Sequence, residues 1–178
     1  MILKGKNIYL KKGLSKENYP RLLEWFQNVE LVAYLYSAQE LSNFRTIEEV
    51  EKFLKEDEPD EMFFEIYSEN EKQFIGYASF CAFNNNLKEC EFSIFVFDKN
   101  YWGKGIGEEV TKIMLDYGFS ELGMSRILLE TSELHSRAVR LYEKCGFKKV
   151  EIIPDDRTVF HEGKWVRSGS LIMEIKPS

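Results

Sequence analysis

With 178 residues, 44% hydrophobic and 30% charged, the chain is long enough to bury one ordinary core and too apolar for disorder to be expected. Its 24 basic and 30 acidic side chains leave a net charge of -6, which argues against broad nucleic-acid binding and leans toward cationic partners. Cys81, Cys90 and Cys145 form no CxxC pair, His135 and His161 have no partner at ligand spacing, and no apolar run reaches membrane-spanning length. Neither a disulfide framework nor a zinc site is therefore expected; a soluble, cytoplasmic protein is.

In chain order, "NIYLKK" alternates as a short strand does, and "KENYPRLLEWFQN" reads as a helix with Pro20 in its first turn. In "TIEEVEKFLKE", Thr46 and Glu49 match a capping box, and Ile47, Val50, Phe53 and Leu54 form one apolar stripe. The turn-rich "EDEPDE" follows. Then "MFFEIYS", "QFIGYASFCAF" and "CEFSIFVF" read as strands of a meander. From Lys104 the period becomes helical, with Ile106, Val110, Ile113, Met114 and Tyr117 on one face and Gly118 and Gly123 at the exit. "RILLET" reads as a buried strand, "SRAVRLYEKC" as a helix capped at Gly146, and "FKKVEII" and "SGSLIMEI" as two closing strands linked through "FHEGKW". No repeat or linker divides residues 1–178, so one domain is expected, an α/β mixed sheet with helices on its faces.

"NYWGKGIGEE" places Gly103, Gly105 and Gly107 at every second position just before a helix. A dinucleotide fingerprint needs GxGxxG, but the third place holds Glu108 or Val110. A Walker loop needs Ser or Thr after Gly-Lys, and Lys104 is followed by Gly105. Two readings remain: a glycine-rich turn without a ligand, or backbone amides at a helix start holding a pyrophosphate, aided by Lys104 and the helix dipole.

"YWGKGIGEEV", followed at the expected separation by "HSRAVRLYEKCGF", resembles the GNAT superfamily of acyl-CoA-dependent N-acetyltransferases. That family's loop reads Arg or Gln, two residues, Gly, one residue, then Gly or Ala; here these are Trp102, Gly105 and Gly107, so Trp102 departs from the pattern. "YWGKG" and the tail "FHEGKW...LIM" resemble the branch of ribosomal-protein alanine acetyltransferases, although Arg167 or Ser168 stands where an acidic residue is common. The likeness covers residues 74–175; the N-terminal part fits by element order.

The resemblance implies a central, mostly antiparallel sheet splayed between the strand around Ser93–Phe97 and "RILLET", with the pantetheine arm of acetyl-CoA in the gap. Phe95, Val96 and Phe97 would line that arm, and an amide near Phe95 would polarise the thioester carbonyl. Trp102, Gly103, Lys104, Gly105, Ile106 and Gly107 would hold the pyrophosphate. His135, where Asn is common, and Ala138 would also contact the coenzyme. Because "FVFDKNYW" is one residue longer than the commonest form, a β-bulge there is expected. Tyr142 stands at the position of the family's usual general acid, against the plainer reading of an amphipathic core residue. Glu91, or more weakly Glu133, would take the acceptor's proton, unless waters relay it. Arg137 and Lys144 are weaker candidates for the coenzyme phosphates. Trp25, Phe26, Tyr34, Tyr36 and Phe44 fall on the acceptor side, at least half of them expected in the core. Cys145 reads as packing. The implied reaction is direct acetyl transfer from acetyl-CoA to a primary amine on a small molecule or peptide, without a metal, with a homodimer through the terminal strands as a possible assembly. The alternative is a GNAT-like acyl-CoA-binding module without catalysis.

Overall fold

The computed structural model describes residues 1–56 and 60–178; the middle of "EDEPDE" lies outside the described residues. Eight strands form one sheet in the order β1-β2-β3-β4-β5-β6-β8-β7. They are β1 (Ile2–Lys4), β2 (Ile8–Lys12), β3 (Met62–Ser68), β4 (Phe74–Asn84), β5 (Glu89–Val96), β6 (Arg126–Ser132), β7 (Lys148–His161) and β8 (Lys164–Ile175). Only β5 and β6 pair in parallel; every other neighbouring pair is antiparallel. That parallel pair needs a crossover, supplied by α5 (Ile106–Ser120), while α6 (Ser136–Lys144) carries the chain from β6 toward β7.

Helices cover both faces. On one, Val110, Met114 and Tyr117 of α5 and Ala138, Val139 and Tyr142 of α6 pack on Phe64, Ile75, Phe80, Phe92 and Ile127. On the other lie α1 (Tyr19–Gln27), α2 (Val29–Val32), α3 (Ala38–Leu41) and α4 (Ile47–Glu56), whose Leu22, Trp25, Phe26, Val32, Leu41 and Val50 close over Phe74, Tyr77 and Phe97. Of the five aromatics expected on the acceptor side, Trp25, Phe26 and Phe44 belong to this second core.

The predicted capping box forms: the Glu49 amide donates to Thr46 Oγ1 at 3.2 Å, and Glu49 Oε2 accepts from the Thr46 amide at 2.8 Å. Ile47, expected on the buried stripe, is 41% exposed, as is the rest of the first turn of α4; burial begins at Val50. Gly118 does not end α5. A Cβ there would lie 2.7 Å from Ile127 Cδ1, so the glycine lets helix and sheet touch; the exit is Gly123, at φ +66°. The closing strands are longer than their apolar cores, 14 and 12 residues, and "FHEGKW" forms the tip of the hairpin that joins them. The three-residue β1 and the four-residue α2 and α3 have no periodic signature in the sequence. None of the helices among the described residues is long and apolar enough to cross a membrane.

Candidate active site

Strand β5 keeps its register with β4 from Cys81↔Glu91 to Gly76↔Val96, but pairs with β6 only from Glu89↔Arg126 to Glu91↔Leu128. Beyond Glu91 the two strands part. A cavity of about 740 Å³ opens there, lined by β5, the end of β6, the start of α6, Arg157 and the segment around Tyr34. A groove of about 320 Å³ runs between the glycine loop and α6. Ile94, Val96, Trp102, His135, Arg137 and Tyr142 line both, so the two spaces meet at these side chains.

The glycine loop earns its composition locally. Gly103 and Gly105 have φ of +70° and +77°, a left-handed region that a Cβ disfavours. Gly107 lies in ordinary helical backbone instead; a Cβ there would sit 3.0 Å from Leu141 Cδ2, so its role is close approach of α5 to α6. Gly103, Gly105, Ile106 and Gly107 face the groove, where the unpaired amides and positive dipole end of a 15-residue helix favour an anion. Glu108, in that first turn, is neutralised by Lys112 at 2.6 Å and Lys144 at 2.5 Å. Hydrogen bonds from these lysines hold its carboxyl below the usual range. Lys144 is thus engaged by Glu108 at the rim of the groove.

Lys104 departs from expectation. Its ammonium lies over the Tyr101 ring at 5.9 Å, and the residue lines a separate polar depression with Asn7, Ser68, Gln73 and Asn100, so its side chain turns away from the groove. Phe97 departs too. Its amide donates to the Ile75 carbonyl at 3.0 Å, its ring stacks on Trp25 at 5.3 Å, and it is 2% exposed. Both groups are therefore committed before any ligand arrives. The Asp98 amide points at the same Ile75 carbonyl, at 3.3 Å, so two residues oppose one as in a bulge, and a 3-10 turn over Lys99–Tyr101 takes up the remaining slack. Phe95 and Val96 line the cavity, the Val96 carbonyl accepting from the Trp102 indole at 2.6 Å. Arg137 stacks on that indole at 3.8 Å.

Tyr142 is 8% exposed, and burial raises its pKa, so the phenol keeps its proton. It stands where groove and cavity meet, with Phe147 edge-on at 5.8 Å and Ala138 on the same helix face. His135 precedes α6. Burial first, then Arg137 and Arg157, lower its pKa to about 4, which leaves the imidazole neutral. Tyr34 stacks on it at 4.2 Å. Glu91 lines the cavity from β5. Glu133 does not join it: its carboxylate accepts from the Gly169 amide at 2.8 Å. Burial also raises the Cys145 thiol, in keeping with a packing role.

The far end of the cavity was not legible as a site. Arg157, with its side chain 4% exposed, donates to Ser170 Oγ at 2.8 Å, to the Tyr34 carbonyl at 3.3 Å and to Glu130, while Ser170 also donates to Asp156 at 2.6 Å. Glu30, Glu91, Glu130 and Asp156 stand against Arg137 and Arg157 in the lining, an excess of carboxylates. In sequence, Glu130 is marked by being a charge directly after the apolar run Ile127–Leu129. Among the described residues no group of three or more His, Cys, Asp or Glu side chains is placed to hold a metal.

The family model for the acetyltransferase (GNAT) domain matches residues 11–148. The chain belongs to the GNAT family. It is an acetyl-CoA-dependent N-acetyltransferase. Among its relatives, the probable N-acetyltransferase YjcK of Bacillus subtilis (strain 168) is 29% identical over 158 residues, 83% of this chain and 84% of that protein. A spermidine N(1)-acetyltransferase of Vibrio cholerae (El Tor Inaba N16961) is 30% identical over 82 residues, 46% of this chain and 47% of that enzyme. In fold, a crystal structure of Vibrio cholerae spermidine N-acetyltransferase with CoA and spermine superposes with TM-score 0.77 at 21% identity, covering 94% of this chain and 95% of that one. A GNAT-family acetyltransferase structure from Bacillus anthracis gives 0.76 at 18%, covering 99% and 98%. These relatives are named for YjcK and spermidine acetyltransferases, not for the ribosomal-protein branch to which the loop and tail pointed.

The residues of this GNAT chain fit coenzyme A. The unpaired β5 edge offers a strand-like partner to an amide-bearing arm, and the left-handed glycines bring main-chain N–H groups to the groove.

Proposed function

We propose that residues 1–178 act as one catalytic unit that moves an acetyl group from acetyl-CoA directly to a primary amine on a cationic acceptor. The observation that carries this reading is the junction: His135, Arg137, Trp102 and Tyr142 border both the groove that suits the coenzyme and the carboxylate-rich cavity that suits the amine. Acetyl-CoA supplies an activated thioester. The chain supplies position and protons. Trp102, Gly103, Gly105, Ile106 and Gly107 hold the phosphates through backbone and helix dipole. Val96, Phe95 and Ala138 flank the pantetheine arm, and the neutral His135 offers it a hydrogen bond. An amide of β5 near Phe95 polarises the thioester carbonyl.

Protonated Tyr142 donates a hydrogen bond to the charge that develops on sulfur. Its raised pKa makes complete transfer uphill, so its contribution is mainly that hydrogen bond. An alkylamine with a pKa of about 10 is mostly protonated at neutral pH, so the ammonium must lose a proton before attack; Glu91, lining the cavity, is one candidate to take it, and a relay to solvent is the other.

Two cationic acceptors follow: a polyamine, in keeping with the names of the relatives, and a basic peptide N-terminus, in keeping with the ribosomal-protein branch. Thiol release from acetyl-CoA, measured over cationic, neutral and anionic primary amines, tests the proposal. Turnover confined to cationic amines supports it; preference for anionic amines overturns it. We place the enzyme in the cytoplasm, and a homodimer would use edge strand β7, where Val150 and Ile152 are half exposed.

A further inference from the structure

Beside Glu91, a second pair of groups joins the cavity to solvent. Tyr34 lines the cavity between α2 and α3, and its hydroxyl lies 2.8 Å from Nδ1 of His161, at the tip of the β7–β8 hairpin. The two segments are fixed to each other: the Phe160 amide donates to the Ala33 carbonyl at 2.8 Å, and Arg157 donates to the Tyr34 carbonyl at 3.3 Å. The Tyr34 ring is held flat on His135, 12° from parallel. On the other side of the His161 ring, Nε2 lies 3.9 Å from the carboxylate of Glu162, and 29% of the imidazole side chain is exposed. A carboxylate beyond Nε2 favours the tautomer with the proton there, which leaves Nδ1 to accept from the phenol.

We propose that Tyr34 and His161 carry the acceptor's proton from the cavity to water. This inference rests on the acetyl-transfer reading above. A phenol oxygen has two lone pairs and one hydrogen, so Tyr34 can accept from an ammonium while donating to His161. As the ammonium N–H bond breaks and an O–H bond forms on Tyr34, the original O–H bond breaks and its proton moves to His161 Nδ1. The imidazolium then releases its Nε2 proton to water, and exchange with water restores the starting tautomer. The acceptor is left as a neutral amine with its lone pair free to attack, and Tyr34 is unchanged. The charged and titratable groups facing the pair are His135 and Arg137 from the start of α6, Arg157 from β7 and Glu162 from the hairpin turn. Tyr34 touches the acceptor; His161 acts through Tyr34.

The test compares wild type with Tyr34→Phe, which keeps the ring on His135, and with His161→Leu, at an exposed hairpin tip. Each is expected to lower kcat at pH about 7 by roughly tenfold or more, with unchanged acetyl-CoA affinity by calorimetry. The deficit should shrink steadily as pH rises to about 10, where about half of the amine is already neutral. It should also be absent at pH about 7 with a weakly basic primary amine. Full activity of both variants at neutral pH overturns the relay, as does an equal deficit at every pH and with both amines, which marks a merely structural contact. If the wild type acetylates no amine at all, the acetyl-transfer reading fails first, and that outcome is distinct from loss of the relay in an active enzyme.

Discussion

Trp102 donates its indole N–H to the Val96 carbonyl at 2.6 Å, tying the glycine loop to the strand that leads into the cavity. Arg137 lies over the same ring at 3.8 Å, so one side chain joins β5, the loop and α6. The family's Arg or Gln at this position is replaced by a residue that clamps the same three elements through a donor and a π face.

Trp102→Phe keeps an aromatic face for Arg137 and removes the donor. A lost hydrogen bond of about 1 kcal/mol corresponds to acetyl-CoA binding weaker by roughly fivefold. Calorimetric titration of both proteins, with circular dichroism confirming the fold, measures it; identical affinities would remove the clamp from coenzyme binding.

The glycines separate by mechanism. At Gly105, φ +77° makes Ala strained by about 1 kcal/mol, and the strain falls on the amides that face the groove. At Gly107 the neighbour is the end of the Leu141 side chain, which can move, so Ala should be nearly neutral. At Gly76 a Cβ would lie 1.9 Å from the Phe95 carbonyl oxygen, and backbone on the cavity strand must shift. Thermal unfolding should rank Gly76→Ala as most destabilised, then Gly105→Ala, then Gly107→Ala, with acetyl-CoA affinity falling for the first two.

Much of this arrangement is visible in the sequence, for identifiable reasons. The meander and the two helices of the coenzyme side carry strong periodicity, and the glycines at 103 and 105 announce backbone conformations that other residues avoid. The acceptor side is built differently. Asp156 and Arg157 lie beyond the apolar run "FKKVEII", and Glu130 is one charge in a strand that reads as buried; all three reach the cavity beside the gap between β5 and β6. Four-residue helices such as α2 and α3 are too short for a periodic signal, so the placement of Tyr34 depends on tertiary contacts with β7. At Lys104 the loop motif suggests a side-chain ligand for phosphate, while the ammonium lies over the Tyr101 ring at 5.9 Å and leaves only the backbone for that role.

His135 predicts a pH effect on stability. Burial, reinforced by Arg137 and Arg157, lowers its folded pKa to about 4, against about 6.5 in the unfolded chain. As pH falls below about 6.5 the unfolded state takes up a proton that the folded state refuses, so stability is lost progressively down to about pH 4. In His135→Asn that component is absent. Urea midpoints from pH about 7 to about 4.5 should therefore converge between the two proteins as the solution is acidified, and a constant difference would refute the buried neutral imidazole.

Tyr142→Phe should leave acetyl-CoA binding intact and lower thiol release by roughly a hundredfold, because only the hydrogen bond to the leaving sulfur is lost. Single-turnover rates measure this directly. Unchanged rates would return Tyr142 to the role of a core residue packed on Phe147.

A crystal structure with bound coenzyme A is the most direct measurement. The predicted result has the pyrophosphate within hydrogen-bond distance of amides in the 103–107 run, the pantetheine along β5 beyond Glu91, and the sulfur within about 3–4 Å of the Tyr142 hydroxyl. Coenzyme bound on another surface, with the space between β5 and β6 left empty, would contradict it.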